Sequence, residues 1–287
     1  MRVHAVQTRT VAVRERQRRG EGRGVLRLLR TALGGAWTEP LPIWCWVIEH
    51  PEGVIVVDTG VNARMLEPGY FTRWNPYFQR NVRVSVDPDE EIGPRLRDLG
   101  IAPEEVRWVV LTHLHLDHDG GLHHFPNSEI LVSREEHRIA TGPLGQVAGY
   151  LPHRWRSWFA PRLVDLSPES FGPFPRSLAL TAEGDVRLVG TEGHSPGHLS
   201  MVVSEEGHSL FLAGDTSYTQ ELMLEQTVDG VSPSELIAQR TLGRVLRYAE
   251  KVTTVYLPSH DPDSAARLAT RAPVRMEASV YEEELSA

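Results

Sequence analysis

The sequence predicts an α/β fold with at least one mixed or antiparallel sheet. Short apolar, β-rich runs recur along the chain, helical patterns fall between them, and the runs outnumber the helices. With 287 residues and 40% hydrophobic content the chain can bury a substantial core. It reads as one domain over 1–287, with an Arg/Gly-rich loop or short helix at 14–36, an insertion at 149–176 and a tail at 263–287.

Residues 1–13 alternate polar and apolar types (Val3, Ala5, Val11, Val13) and read as an edge strand, half of a hairpin. Seven arginines follow (14, 16, 18, 19, 23, 27 and 30), interrupted by Gly20, Gly22 and Gly24, which reads as a solvated loop. The helical spacing of Val25, Leu28, Leu29 and Ala32 also fits a short amphipathic helix packed over a pocket or a partner subunit. Residues 43–48 and 54–57 are strands joined by a turn at 49–53, and the second leads into Asp58-Thr59-Gly60. The aromatic stretch Tyr70, Phe71, Trp74, Tyr77, Phe78 has no regular period and reads as surface packing or a pocket wall. Asp87-Pro88-Asp89 opens a helix with Ile92, Leu96 and Leu99 on one face, closed by Gly100.

The apolar run 108–111 is a buried strand and 130–132 another, after which Ser133 and Glu136 form a capping box for a helix. Residues 149–176, rich in proline and aromatics, read as an insertion. Strands at 186–189, 199–203 and 210–213 come next. Ser232-Pro233-Ser234-Glu235 then starts a helix carrying Leu236, Ile237, Leu242, Val245 and Leu246. A last strand at 253–257 leaves one short helix candidate and an acidic tail at 282–284.

Composition excludes several classes of function. Thirty basic against 38 acidic residues give a net charge of −8, which opposes binding through phosphate neutralisation. No apolar run spans a bilayer and no signal peptide is visible, so the expected location is the cytoplasm and no membrane partner is expected. The lone Cys45 sits in an apolar strand, which leaves neither an internal disulfide nor a thiolate zinc site.

The chemistry concentrates at four strand exits. The stretch 112–121 carries His113, His115, Asp117 and His118 directly after a strand; His194 follows the strand 186–189 through Gly193; Asp215 follows 210–213 through Gly214; and His260 follows the last strand through Ser259. Imidazole and carboxylate at this density suit zinc, iron or nickel better than magnesium or calcium. Counting ligands gives His113, His115, His194 and Asp215 for one ion, and Asp117, His118, His260 and Asp215 for the other. One carboxylate is shared, with room for a bridging water. Asp58 is surplus to that count and reads as a carboxylate orienting a ligand histidine. His198 reads as a hydrogen-bonding residue near its strand, His123 and His124 as surface or packing residues, and His4, His50, His137, His153 and His208 receive no role.

These residues together resemble the metallo-β-lactamase superfamily, whose HxHxDH motif stands here as His113-x-His115-x-Asp117-His118. The resemblance extends to Asp58 in Val57-Asp58-Thr59-Gly60, to Gly193-His194-Ser195-Pro196-Gly197-His198, to Ala213-Gly214-Asp215 and to Pro258-Ser259-His260, covering about residues 43–262. It implies an αββα sandwich, two mixed central sheets with helices on the outer faces. Zinc β-lactamases of the best-known type carry Cys at the position of Asp215, flavodiiron proteins typically have Glu in place of His115, and the 27 residues after His260 are too few for the helical extension of glyoxalase II.

The stretch Asp215-Thr216-Ser217-Tyr218-Thr219, with 193–198, most resembles the N-acyl-homoserine lactonases. That resemblance implies two divalent ions, zinc first and iron, cobalt, manganese or nickel as alternatives. It also implies attack of a metal-bridging hydroxide on a lactone carbonyl, a substrate-assisting role for Tyr218, and proton transfer by Asp117. The partner expected is a small lactone or ester, and the chain is expected as a monomer or homodimer. Esterase, phosphotriesterase or thioester hydrolase activity at the same site is the alternative, and a mononuclear-iron persulfide dioxygenase a more distant one.

Overall fold

The computed structural model describes residues 1–71 and 77–275; Trp74 of the aromatic stretch and the acidic tail at 282–284 lie outside the described residues. The β-rich runs form two sheets. In the first, β1 (Arg2–Val13), β2 (Leu41–His50) and β3 (Gly53–Val57) pair antiparallel in sequence order. The strand β4 (Val82–Ser85) adds to the outer side of β1, while β5 (Val106–Val110), β6 (Glu129–Ser133) and β7 (Arg162–Val164) continue parallel from β3. In the second, β8 (Ser177–Ala179), β9 (Val186–Gly190), β10 (Leu199–Glu205) and β11 (His208–Gly214) form an antiparallel meander, and β12 (Thr254–Pro258) pairs parallel to β11.

The alternation of side chains along a strand explains the layers. Trp46, Ile48, Ile55, Val57 and Val110 point from the first sheet into a core shared with Leu188, Met201, Val203, Leu212 and Leu257 of the second. Their neighbours Cys45, Val47, Val56 and Val109 face the opposite side, where helices cover them. Each such fully buried aliphatic side chain contributes about 1.5–3 kcal/mol over an exposed one.

The helices are α1 (Glu15–Arg18), α2 (Gly24–Ala32), α3 (Tyr77–Asn81), α4 (Ile92–Asp98), α5 (Leu116–Asp119), α6 (Arg134–Ala140), α7 (Gln220–Leu224), α8 (Glu235–Lys251) and α9 (Ser264–Thr270). The residues Ile92 and Leu96 of α4 and Ala140 of α6 pack on the outer face of the first sheet; Leu242, Val245 and Leu246 of α8 pack on that of the second. This is the αββα arrangement expected. No helix among the described residues is long and apolar enough to cross a membrane.

Four sequence expectations need correction. The first strand is not an edge: β1 lies between β4 and β2, and the short β4, with Arg83 and Ser85 exposed, forms the edge instead. The stretch 149–176 is only partly an insertion, because Arg162–Val164 enters the first sheet as β7. The helix expected from Asp87 begins as a short 3-10 turn, Pro88–Glu90, and Leu99 at its end is exposed while Ile92 and Leu96 are buried.

The fourth concerns the arginine-rich segment: its loop reading gives way to the short helix also expected there, as α1 and α2, and the apolar stripe of α2 is exposed in the single chain. Val25 is 71% and Leu33 82% exposed, whereas Arg27 is 2% exposed. The Arg27 guanidinium donates to the backbone carbonyls of Asp229 and Ser232, so its charge is buried with acceptors that would otherwise be unpaired.

Replacing Arg27 by Met keeps the stem but leaves those carbonyls without donors. Urea unfolding of Arg27→Met is expected to show a loss of about 3 kcal/mol in stability.

Candidate metal centre

The strands β9, β11 and β12 run in the same direction, so Gly190, Gly214 and Pro258 end at one edge of the second sheet. The loop after β5 reaches the same rim, since the amide of Leu199 at the start of β10 donates to Thr112 O at 2.9 Å. A strand exit supplies each ligand loop. Gly214 makes the last turn possible: it has φ +55°, and a Cβ there would lie 2.7 Å from His198 Nε2. Asp58 holds the same left-handed region, φ +60°, without being glycine. Its carboxylate takes the Thr112 amide at 2.8 Å, the Thr112 hydroxyl at 2.9 Å and His118 Nδ1 at 2.8 Å, contacts that hold it in a conformation costing about 1–3 kcal/mol.

All seven residues named as ligands from the sequence converge, in two groups. His113 Nε2 lies 3.1 Å from His115 Nδ1, which lies 3.0 Å from His194 Nε2. His260 Nε2 lies 3.4 Å from Asp117 Oδ2, and His118 Nε2 lies 3.9 Å from Asp117 Oδ1. The carboxylate of Asp215 stands between the groups. Its Oδ2 is 3.5 Å from His194 Nε2, and its Oδ1 is 3.3 Å from His118 Nε2 and 3.4 Å from His260 Nε2.

Behind the ligands, each imidazole has a partner for its other nitrogen. Thr112 Oγ1 stands 3.1 Å from His113 Nδ1, Ala148 O 3.2 Å from His115 Nε2, Asp58 Oδ2 2.8 Å from His118 Nδ1, Asp229 Oδ2 2.9 Å from His194 Nδ1 and Pro42 O 2.9 Å from His260 Nδ1. With a proton on each outer nitrogen, five lone pairs face inward. His118 Nε2 and Asp215 Oδ1 are buried and have no hydrogen-bond partner among the described residues. A cation would supply what both lack, so the donor set fits divalent metal, with Asp215 placed where both groups could use it.

The electrostatics agree with that fit. Burial, with neighbouring histidines, holds His113 well below its ordinary pKa and pushes His115 down to about 4, so both are neutral donors near pH 7. Burial acts the same way on His118 and His260, but Asp215 leads the carboxylates that outweigh it and raise both. Burial would lift Asp117, yet His118 and His260 bring it down to about 2. The carboxylates therefore call for positive charge in the space between the ligands.

Tyr218 is buried, and its ring stacks on His260 with centroids 5.4 Å apart. Burial, reinforced by Asp215 and Asp229, raises its pKa well above the ordinary phenol, so it remains a donor. Gln17 Nε2 donates to its oxygen at 3.1 Å, and Tyr77 donates to Gln17 Oε1 at 2.9 Å. The described aromatics Tyr70, Phe71 and Phe78 belong to the same cluster as Tyr218. His198 is not among the converging ligands: its Nδ1 meets Thr191 Oγ1 at 2.9 Å and its Nε2 accepts the Asp215 amide at 3.0 Å. His123 and His124 lie apart, against Glu91.

Three residues at the site were not singled out for it from the sequence. Asp229 holds His194 and has only a Gly-Val-Ser turn as its local signal. The spacing of Ser133 and Glu136 fits a capping box, and the Glu136 amide does bond Ser133 Oγ at 3.4 Å, but its buried carboxylate points inward. There it accepts from the amides of Leu114 at 3.2 Å and Gly197 at 3.0 Å and from Ser195 Oγ at 2.7 Å, joining the two ligand loops. Gln17 lay hidden among arginines.

Asp229→Asn removes the charge behind His194 with little change in shape. Metal affinity in competition with a chromophoric chelator is expected to fall about 10–100-fold, with the fold retained.

Comparisons with known proteins agree with this geometry. Residues 38–260 match the model of the metallo-beta-lactamase superfamily. The N-acyl homoserine lactonase AttM of Rhizobium radiobacter is 29% identical over 235 residues, 79% of this chain and 84% of that protein. The N-acyl homoserine lactonase AiiA of Bacillus thuringiensis subsp. kurstaki is 28% identical over 230 residues, 77% of this chain and 82% of its own. Among solved structures, an N-acyl homoserine lactone hydrolase with the product N-hexanoyl-L-homoserine at its catalytic metal centre superposes with a TM-score of 0.71. It is 21% identical and covers 91% of this chain and 93% of that one, a likeness of fold.

Proposed function

The chain belongs to the metallo-beta-lactamase superfamily, and from that premise we propose that it is a metal-dependent hydrolase opening the lactone ring of N-acyl-homoserine lactones. The observation that carries the reading is the placement of Tyr218, a buried phenol three residues past Asp215 with its ring against His260. The relatives named as lactonases support it.

His113, His115 and His194 would hold one ion and Asp117, His118 and His260 the other, with Asp215 shared. The imidazole-rich donor set favours zinc. Such ions, when bound, supply a water of lowered pKa and polarise the ester carbonyl.

The chain's own groups account for the rest. Because the Gln17 amide donates to the Tyr218 oxygen, the phenol's own proton remains available for the carbonyl oxygen of the substrate as negative charge builds there. The donation from Tyr77 fixes which end of the Gln17 amide faces Tyr218. Ring opening adds one water: its oxygen joins the carbonyl carbon and the carbon to ring-oxygen bond breaks. The Asp117 side chain, 17% exposed and held ionised, takes a proton from that water and returns it to the departing ring oxygen.

Purified protein, with its metal quantified, is expected to add one water to short- and long-chain homoserine lactones, read by mass. Turnover of a thioester or phosphotriester with none on any lactone overturns the assignment. Asp215→Ala is expected to lose metal and activity together. Tyr218→Phe is expected to lower kcat about 100-fold or more with metal content retained. Gln17→Leu should give a smaller loss, roughly tenfold, also in kcat.

A further inference from the structure

We propose that Glu91, His123 and His124 form a third metal site, separate from the paired centre, that takes one zinc-type divalent ion. His123 Nε2 lies 3.0 Å and His124 Nε2 2.8 Å from the same oxygen, Glu91 Oε2. The three donor atoms all lie within 4.8 Å of one another. A tetrahedral ion with bonds of about 2.0–2.1 Å sets its ligand atoms roughly 3.3 Å apart, so a small outward shift of each side chain admits it.

Two features separate this cluster from a chance meeting of surface histidines. The adjacent imidazoles lie with centroids 4.0 Å apart, and both bring Nε2 to Glu91 Oε2. The carboxylate is also anchored from behind: the Ala63 amide donates to Glu91 Oε1 at 2.8 Å, leaving Oε2 as the oxygen directed at the rings. That is the pattern of an outer partner fixing a ligand seen at the paired centre, here with a backbone donor. The Glu91 side chain is buried while those of His123 and His124 are partly open, so an ion enters from solvent and a water completes its shell. Two imidazoles and one carboxylate suit zinc, cobalt or nickel over magnesium or calcium.

The position gives such an ion a mechanical effect. Glu91 is the N-cap residue of α4; the 3-10 turn Leu122–His124 follows α5, which carries Asp117 and His118; and Ala63 lies in the segment after Asp58. One ion therefore ties three segments together behind the ligand loop.

The test loads the full chain with zinc chloride, removes the excess and counts zinc per chain by mass spectrometry. Wild type is expected to carry about one equivalent more than His123→Ala/His124→Ala, about three against about two when the paired centre is full. Glu91→Gln, which preserves the shape and the Ala63 contact, should lose the same equivalent. Asp215→Ala/His260→Ala should keep it. Equal zinc content in wild type and the His123/His124 variant overturns the site, whatever the paired centre holds. So does an extra equivalent that survives Glu91→Gln, which would show that the carboxylate is not a ligand.

Discussion

The constraint on which this structure rests is that a buried imidazole must have its second nitrogen satisfied. Five histidines crowd one rim, and packing alone would orient none of them. The partners Thr112, Ala148, Asp58, Asp229 and Pro42 take the outer nitrogens, and only then do the inner ones face a common space. Three of those partners are backbone or hydroxyl oxygens and two are carboxylates. The carboxylates stand behind His118 and His194, one in each ligand group, and each raises the basicity of its imidazole. The shape of the centre is thus set by residues that never face it.

Those outer partners are themselves secured by the packing. Asp58 leaves β3, whose last three residues are buried on both faces, and its strained backbone is held by Thr112 and His118. Asp229 accepts from the amides of Val231 and Ser232, at 2.8 and 2.7 Å, and its carbonyl is held by Arg27. Glu136 joins the loop of His113 to that of His194 across the two sheets. A chain of contacts therefore runs from the α2 surface helix through Asp229 to an imidazole at the centre.

Much of the centre was legible in the sequence because its chemistry resides in residue identity. Histidine and aspartate placed just after apolar runs announce both a ligand and the loop that carries it, and Asp58 could be set aside by counting. Asp229, Glu136 and Gln17 were hidden for a physical reason: each acts through a partner distant in sequence, and no local spacing encodes the meeting. Arg27 shows the opposite limit. Periodicity finds the stripe Val25, Leu28, Leu29 but cannot tell which face is covered when the covering surface is a row of carbonyl oxygens. Likewise β1 looked like an edge because its outer neighbour is four residues long and lies some seventy positions away.

The bond from His260 to Pro42 O joins residues 218 positions apart, and that from Gln17 to Tyr218 joins residues 201 apart. Closing loops of this length costs conformational entropy that local turns do not, so these contacts belong to the late part of folding. A nascent chain holds His113 to His118 long before His260 and its backing carbonyl can meet. Ribosome-bound or partly refolded molecules therefore lack part of the candidate donor set, and metal capture there would mark that the two ends of the chain have found each other.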